Sequence, residues 1–143
     1  MRIDPYLFFD GRAEEALHFY RDALHGEVQM LMRYGESPSE PDSPQCLPED
    51  AASKIQHAML AVGDQLLMLS DVVPLGHGFH GHAISLQYGA LDEAKRAFDA
   101  LCSGGEVLMP FGATFFSPGY GMLRDRFGVQ WIVMANPELE KPN

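Results

Sequence analysis

Apolar and polar positions alternate along the chain in an order that occurs twice. In the first half, residues 6–9 form a short aromatic run and Asp10-Gly11 breaks it. Ala13, Ala16, Leu17, Tyr20 and Leu24 then fall at i, i+3, i+4, i+7 and i+11. That pattern predicts a strand followed by a helix with one apolar face, closed by Gly26 as C-cap. Residues 28–33, 55–62 and 65–69 read as three more strands. The last two are joined by Gly63-Asp64, whose leading glycine suits a type II′ turn. The second half repeats the order. Residues 82–88 predict a strand, and Leu91, Ala94, Phe98 and Leu101 the inner face of a helix closed by Gly104-Gly105. Residues 106–109, 121–125 and 129–134 predict three strands, with a turn at 125–128 between the last two.

The duplication is visible residue by residue. EEALHFYRDALHGEVQM at 14–30 matches DEAKRAFDALCSGGEVLM at 92–109 with one inserted residue, and Gly63-Asp64-Gln65-LLML matches Gly128-Val129-Gln130-WIVM. Each half reads βαβββ, module 1 over about 1–74 and module 2 over about 79–137, within one domain spanning 1–143. A half-domain buries its apolar face poorly alone, so the two halves are expected to pack and to share a surface where function is sought. A ferredoxin-like βαββαβ order is the rival. It places a single hairpin between its helices, whereas about sixty-five residues intervene here, enough for three strands and a loop.

Composition narrows the function classes. The 143 residues are 46% hydrophobic, enough for a sizeable core, and carry a formal charge of −10. That charge repels phosphate backbones and anionic membranes, and no clustered Lys/Arg stripe overrides it locally, so no nucleic-acid and no membrane partner is expected. No apolar run suits a signal peptide or a membrane span, which gives a cytoplasmic protein as the expectation. Cys46 and Cys102 lack a Cys-x-x-Cys spacing and read as reduced thiols.

Residues 35–50 are rich in Pro, Ser and acidic side chains, a composition that cannot pack a core. A lid over a site and a solvated insertion are both readings of it. His77, His80 and His82 stand in GHGFHGH, where a trio of imidazoles could bind zinc or nickel, although no Cys or carboxylate stands at a fixed spacing from them. His82 is the best placed, at the expected start of a strand whose face it shares with Ile84 and Leu86. His57 shares an expected strand face with Ile55, Met59 and Ala61; it reads as a hydrogen-bonded core or interface residue, or as a general base beside a cleft. Thr114, Phe115, Phe116 and Tyr120 are either pocket lining or core. Met59, Met68, Met109, Met122 and Met134 add adaptable apolar lining or core. Asp125 reads as a turn cap between the solvated Arg124 and Arg126. The chain has no Gly-x-Ser-x-Gly elbow, phosphate loop or dinucleotide fingerprint.

Read together, PYLFFDGRAEEALHFYRDAL, the His57-Ala58 strand followed by LLMLSD, EAKRAFDAL and ATFFSPGYGMLRDRFGVQW cover nearly the whole chain. This set resembles the vicinal oxygen chelate superfamily (glyoxalase I, extradiol dioxygenases, fosfomycin- and bleomycin-resistance proteins), and within it the PhnB-like branch. The resemblance implies an α+β fold in which two βαβββ modules curl into a cup-like sheet with helices outside, and a homodimer whose cups are completed within one chain or between chains.

The resemblance also implies where a divalent metal would sit in the metal-dependent members, on the first and last strand of each module. Carried over, those positions fall near Ile3 or Pro5, at Met68, at His82 and at Val133. Only His82 is a suitable ligand, since a thioether is a poor partner for hard or borderline divalent ions. No cofactor is therefore predicted, with a divalent metal at His82 as the remaining possibility. The expected function is metal-independent binding of a small molecule in a cleft drawn from His57, Met68, His82, Phe115, Phe116 and Tyr120, with a cationic ligand favoured by the acidic surface. The alternative is a lyase, isomerase or dioxygenase-type enzyme rebuilt around His82, with His57 as a further ligand or acid-base group. A methyltransferase label used for the branch implies chemistry for which this chain has no nucleotide-binding loop.

Overall fold

The structure is a computed structural model and describes residues 1–36, 50–72 and 78–142. Cys46, His77 and the prolines between 37 and 49 lie outside the described residues, and with them the reading of that segment as a lid. The chain divides into two compact units, Met1–Gly78 and Phe79–Asn143.

In the first unit, β1 (Tyr6–Phe9), α1 (Ala13–Leu24), β2 (Glu27–Arg33), β3 (Ile55–Val62) and β4 (Gln65–Asp71) form an open sheet of order β1-β4-β3-β2 beside one helix. β1 runs parallel to β4 and the other pairs are antiparallel. Helix α1 turns its buried Ala16, Leu17, Tyr20 and Leu24 toward the sheet. From the strands Leu7, Phe9, Ala58, Leu60, Leu67 and Leu69 meet it, all at most 5% exposed. At roughly 1.5–3 kcal/mol for each fully buried large aliphatic side chain, this layer holds the unit together.

The second unit repeats the plan with β5 (Ile84–Tyr88), α2 (Leu91–Cys102), β6 (Glu106–Gly112), β7 (Tyr120–Arg124) and β8 (Gln130–Ala135), in sheet order β5-β8-β7-β6. Its core combines Ala94, Ala97, Phe98 and Leu101 with Leu123, Val129, Trp131 and Val133. Gly121 is needed for the fit, because a Cβ there would come within 2.7 Å of the Phe98 ring. The expected α+β order of two βαβββ modules is therefore the observed one.

Three local expectations are corrected. The left-handed residue that ends α1 is His25 (φ 53°), not Gly26. Gly26 is required for space instead, since a Cβ would lie 2.8 Å from the Ala61 carbonyl oxygen. β5 begins at Ile84, so His82 precedes the strand rather than opening it. Finally, Ile55 does not share a face with His57. The β2–β3 ladder shifts register between Met32↔His57 and Arg33↔Ile55, making Gln56 the extra residue of a β-bulge. The bulge sends Ile55 into the core with 0% exposure. The turn at Gly63-Asp64 is as expected: Gly63 has φ 61°, Asp64 is not among the positive-φ residues, and Val62 pairs with Gln65.

Candidate functional site

Because side chains alternate along a strand, the residues of β1–β4 that do not meet α1 share the opposite face. Cross-strand pairing aligns Tyr6, Met68, Met59 and Met30 in one row. In the neighbouring row Phe8 pairs with Ser70 and His57 with Met32, and continuing the β3–β4 register sets His57 opposite Ser70. The second unit shows the same habit, with Met109 paired to Met122, Met122 to Ile132, and Tyr120 to Met134. Seven of the eight methionines thus lie on sheet faces turned away from the helix of their own unit, the exception being Met1. A core reading does not account for this segregation, because the helix-facing layers are built from Leu, Ala, Ile, Val and aromatic side chains.

The polar centre of the first face is a pair that spans three strands. Tyr6 Oη lies 2.8 Å from His57 Nδ1, with the rings 5.5 Å apart. Tyr6 also stacks on Phe8 at 4.7 Å between ring centres and an interplanar angle of 8°. Burial raises the Tyr6 phenol above its ordinary value; the Ser70 hydroxyl opposes this and Tyr34 adds to it. The phenol and Nδ1 thus share one hydrogen bond, in which each atom can either donate or accept. Among the described residues Nε2 has no hydrogen-bond partner.

The bulge supports this centre. Ser70 Oγ donates to the Gln56 carbonyl at 2.6 Å, and the Gln56 Oε1 atom is buried without a partner among the described residues. Behind the sheet, Asp71 is 1% exposed and ties three elements together. Its carboxylate accepts from Ala13 N and Ile55 N, both at 3.0 Å, while its carbonyl accepts from the Tyr34 hydroxyl at 2.7 Å. One end of β4 thus fixes the start of α1, the start of β3 and the segment after β2.

Phe115, Phe116 and Tyr120 come together in the second unit. Phe116 meets both neighbours edge-on, at 5.0 Å from Phe115 and 5.1 Å from Tyr120. Phe115 is 101% exposed and Phe116 53%, so neither is core. Their loop is held by Thr114, whose N–H donates to the Ser117 carbonyl at 2.9 Å and whose Oγ1 accepts from Ser117 N at 3.1 Å. A surface cleft of ≈ 390 Å³ lies beside them, lined also by Thr114, Ser117, Asn136 and Glu138.

Among the positions implied for a divalent metal, Met68 and Val133 carry no donor for a hard ion. Met68 lies on the face away from α1, but Val133 is buried on the helix-facing side with 0% exposure, so Ile132 and Met134 flank it on the other face. His82 Nδ1 is 3.1 Å from the His80 carbonyl of its own loop, and its ring sits 6.3 Å from that of Phe79. Among the described residues no group of three or more His, Cys, Asp or Glu side chains could hold a metal ion. The donor set does not fit a hard divalent cation.

Of the expected cleft residues, His57 and Met68 share one sheet face of the first unit, the three aromatics share one corner of the second, and His82 stands in a separate loop. Sequence reasoning missed Tyr6 as the partner of His57, and it missed Met30 and Met32. The spacing Met30-x-Met32 beside His57-x-Met59 was the available signal, because period two places each pair on one strand face.

Comparison with known proteins agrees with the architecture. The family model of the Glyoxalase/Bleomycin resistance protein/Dioxygenase superfamily matches residues 2–133. Protein YjdN of Escherichia coli (strain K12) is 32% identical over 138 residues, covering 93% of this chain and 94% of its own length. The structure of protein PA1353 from Pseudomonas aeruginosa is 40% identical, with a TM-score of 0.83 over 95% of this chain and 98% of that one. The PhnB protein from Bacillus cereus is 26% identical, with a TM-score of 0.74 over 95% of this chain and 100% of that one. With the family model, the relatives and the duplicated βαβββ order in agreement, the chain belongs to the glyoxalase/bleomycin resistance protein/dioxygenase superfamily.

Proposed function

We propose that this protein binds an organic small molecule on the methionine-lined face of its first unit and does so without a divalent metal. The observation that carries this reading is the segregation of Met30, Met32, Met59 and Met68 to the face that also presents Tyr6, Phe8 and His57. Unbranched thioethers re-pack around ligands of differing shape, aromatic rings give stacking area, and a few polar atoms fix orientation. His57, held by Tyr6, is the orienting group. Phe115, Phe116 and Tyr120 form a second apolar surface in the other unit. His82 has no part in this proposal as a metal ligand. The net charge of −10 favours a cationic ligand at long range.

The test uses metal-free protein and the cationic aromatic dye rhodamine 6G. Saturable binding is expected, weakened at least about tenfold by Met59→Lys, a change of about 1.4 kcal/mol. Retained stoichiometric divalent metal in the purified protein, or dye binding indifferent to Met59→Lys in a variant that unfolds normally, overturns the reading. We further propose that the protein acts as a homodimer. The support is β6, an edge strand that exposes Val107, Leu108 and Met109, an arrangement that unpartnered sheets avoid.

A further inference from the structure

The methionine face carries chemistry beyond apolar lining. Met59 and Met68 are direct cross-strand partners, Met30 is the other neighbour of Met59, and His57 is two residues before Met59 with Met32 opposite it. Directly opposed antiparallel residues have Cβ atoms about 4.5–5.5 Å apart, so four thioether sulfurs and one imidazole occupy adjoining positions of a single face. Sulfur donors of this kind discriminate between metals. They bind divalent hard or borderline ions poorly and select soft monovalent ones, Cu(I) above all.

Two further observations fit a metal ligand at His57. Ligating imidazoles use one ring nitrogen for the metal and hold the other in a hydrogen bond to an outer partner, which sets ring orientation. Tyr6 occupies that outer position at Nδ1, 2.8 Å away, and Nε2 has no partner among the described residues. When Nε2 binds a metal, the ring hydrogen resides on Nδ1 and donates to the phenol oxygen, which accepts as readily as it donates. The second unit supplies an internal control, because Met109, Met122 and Met134 lie on its corresponding face with no histidine on those strands.

We infer that the first unit holds a binding site for one soft monovalent cation, Cu(I), with Met59, Met68 and His57 Nε2 as its central ligands, Met30 and Met32 at its rim, and Tyr6 as the positioning residue. Binding involves no change of oxidation state. The inference stands apart from the organic-ligand proposal, which is tested on metal-free protein. Thiols bind Cu(I) as well, and the Cys102 thiol is pushed up by burial and by Asp99, away from the thiolate form. The experiment is therefore made on the full chain carrying Cys46→Ser and Cys102→Ser.

Anaerobic titration with Cu(I) in competition with bicinchoninate should show one ion retained per chain and no retention of Zn(II). Met59→Leu with Met68→Leu, a nearly volume-conserving pair, should abolish retention, whereas Met109→Leu with Met122→Leu should leave it intact. Tyr6→Phe should weaken the site by about tenfold or more without altering the unfolding midpoint of the metal-free protein. No retention of Cu(I) against the competitor overturns the assignment, as does retention that survives loss of Met59 and Met68 or depends on the second unit's methionines.

Discussion

Asp125 shows what one buried carboxylate does in this fold. It is 3% exposed, and its Oδ1 accepts from Phe127 N at 2.9 Å and Val129 N at 3.0 Å while Oδ2 accepts from Trp131 Nε1 at 2.8 Å. The turn-capping role expected from sequence is thus one of two functions, the other being to anchor the sole tryptophan of the chain in the second core. Asp71 ties β4 to α1 and β3 in the first unit by the same means. Replacing Asp125 with Ala leaves three donors without their charged acceptor. At roughly 1.5–3 kcal/mol for a hydrogen bond to a charged group, a net loss of about 3–4 kcal/mol is expected. Chemical denaturation followed by Trp131 fluorescence measures it, and a loss near zero would show that the three donors find other partners.

At the scale of elements, Glu14 on α1 and Arg33 on β2 form the contact whose electrostatics are best defined. Both guanidinium nitrogens reach the carboxylate, Nη1 at 2.8 Å from Oε2 and Nη2 at 2.6 Å from Oε1. The Arg33 hydrogen bonds pull the Glu14 carboxyl below its ordinary 4.5, despite a smaller opposing effect of burial. A lowered carboxylate stabilises the fold fully above its unfolded value, and that contribution disappears as pH falls from about 4.5 through the lowered folded value. Both side chains are partly exposed, so solvent screening keeps the contribution small. Glu14→Gln is expected to remove this small stabilisation at neutral pH and to flatten the loss of stability below pH 4.5, where the two proteins converge. Denaturation midpoints at several pH values and two salt concentrations check it, since high salt should shrink the difference between the proteins.

For the whole molecule, the exposed edge decides the next prediction. Among the described residues β6 pairs only with β7, and it leaves Val107 48%, Leu108 39% and Met109 44% exposed, with Pro110 next in the strand. Exposed apolar edge strands are association sites unless charge or proline blunts them, and the single proline here follows the apolar run. Leu108→Lys should therefore convert a dimer to a monomer in light scattering at micromolar concentration while leaving the unfolding cooperativity of the chain unchanged. A wild-type protein that is monomeric throughout that range would remove the dimer proposal. Among the described residues no helix is long and apolar enough to cross a membrane.

The duplicated order of elements was legible in the sequence because strand and helix periodicities are local, and each helix kept an apolar face at i, i+3, i+4 and i+7, in Ala13, Ala16, Leu17 and Tyr20 and in Ala94, Ala97, Phe98 and Leu101, although Leu91, expected on the inner face of α2, is 44% exposed. The Gly63-Asp64 hairpin was legible for the same reason, a turn type being a property of two residues. The site was not. The bulge at Gln56 turns Ile55 to the core and leaves His57 with the methionines, and a single extra residue in a ladder has no periodic signature. The Tyr6–His57 hydrogen bond joins residues 51 positions apart, a distance that only the β1-β4-β3 strand order closes. Local pattern determined which elements form and which positions alternate; pairing register, a non-local property, decided that the methionines and His57 share one face, and so where ligand and metal are sought.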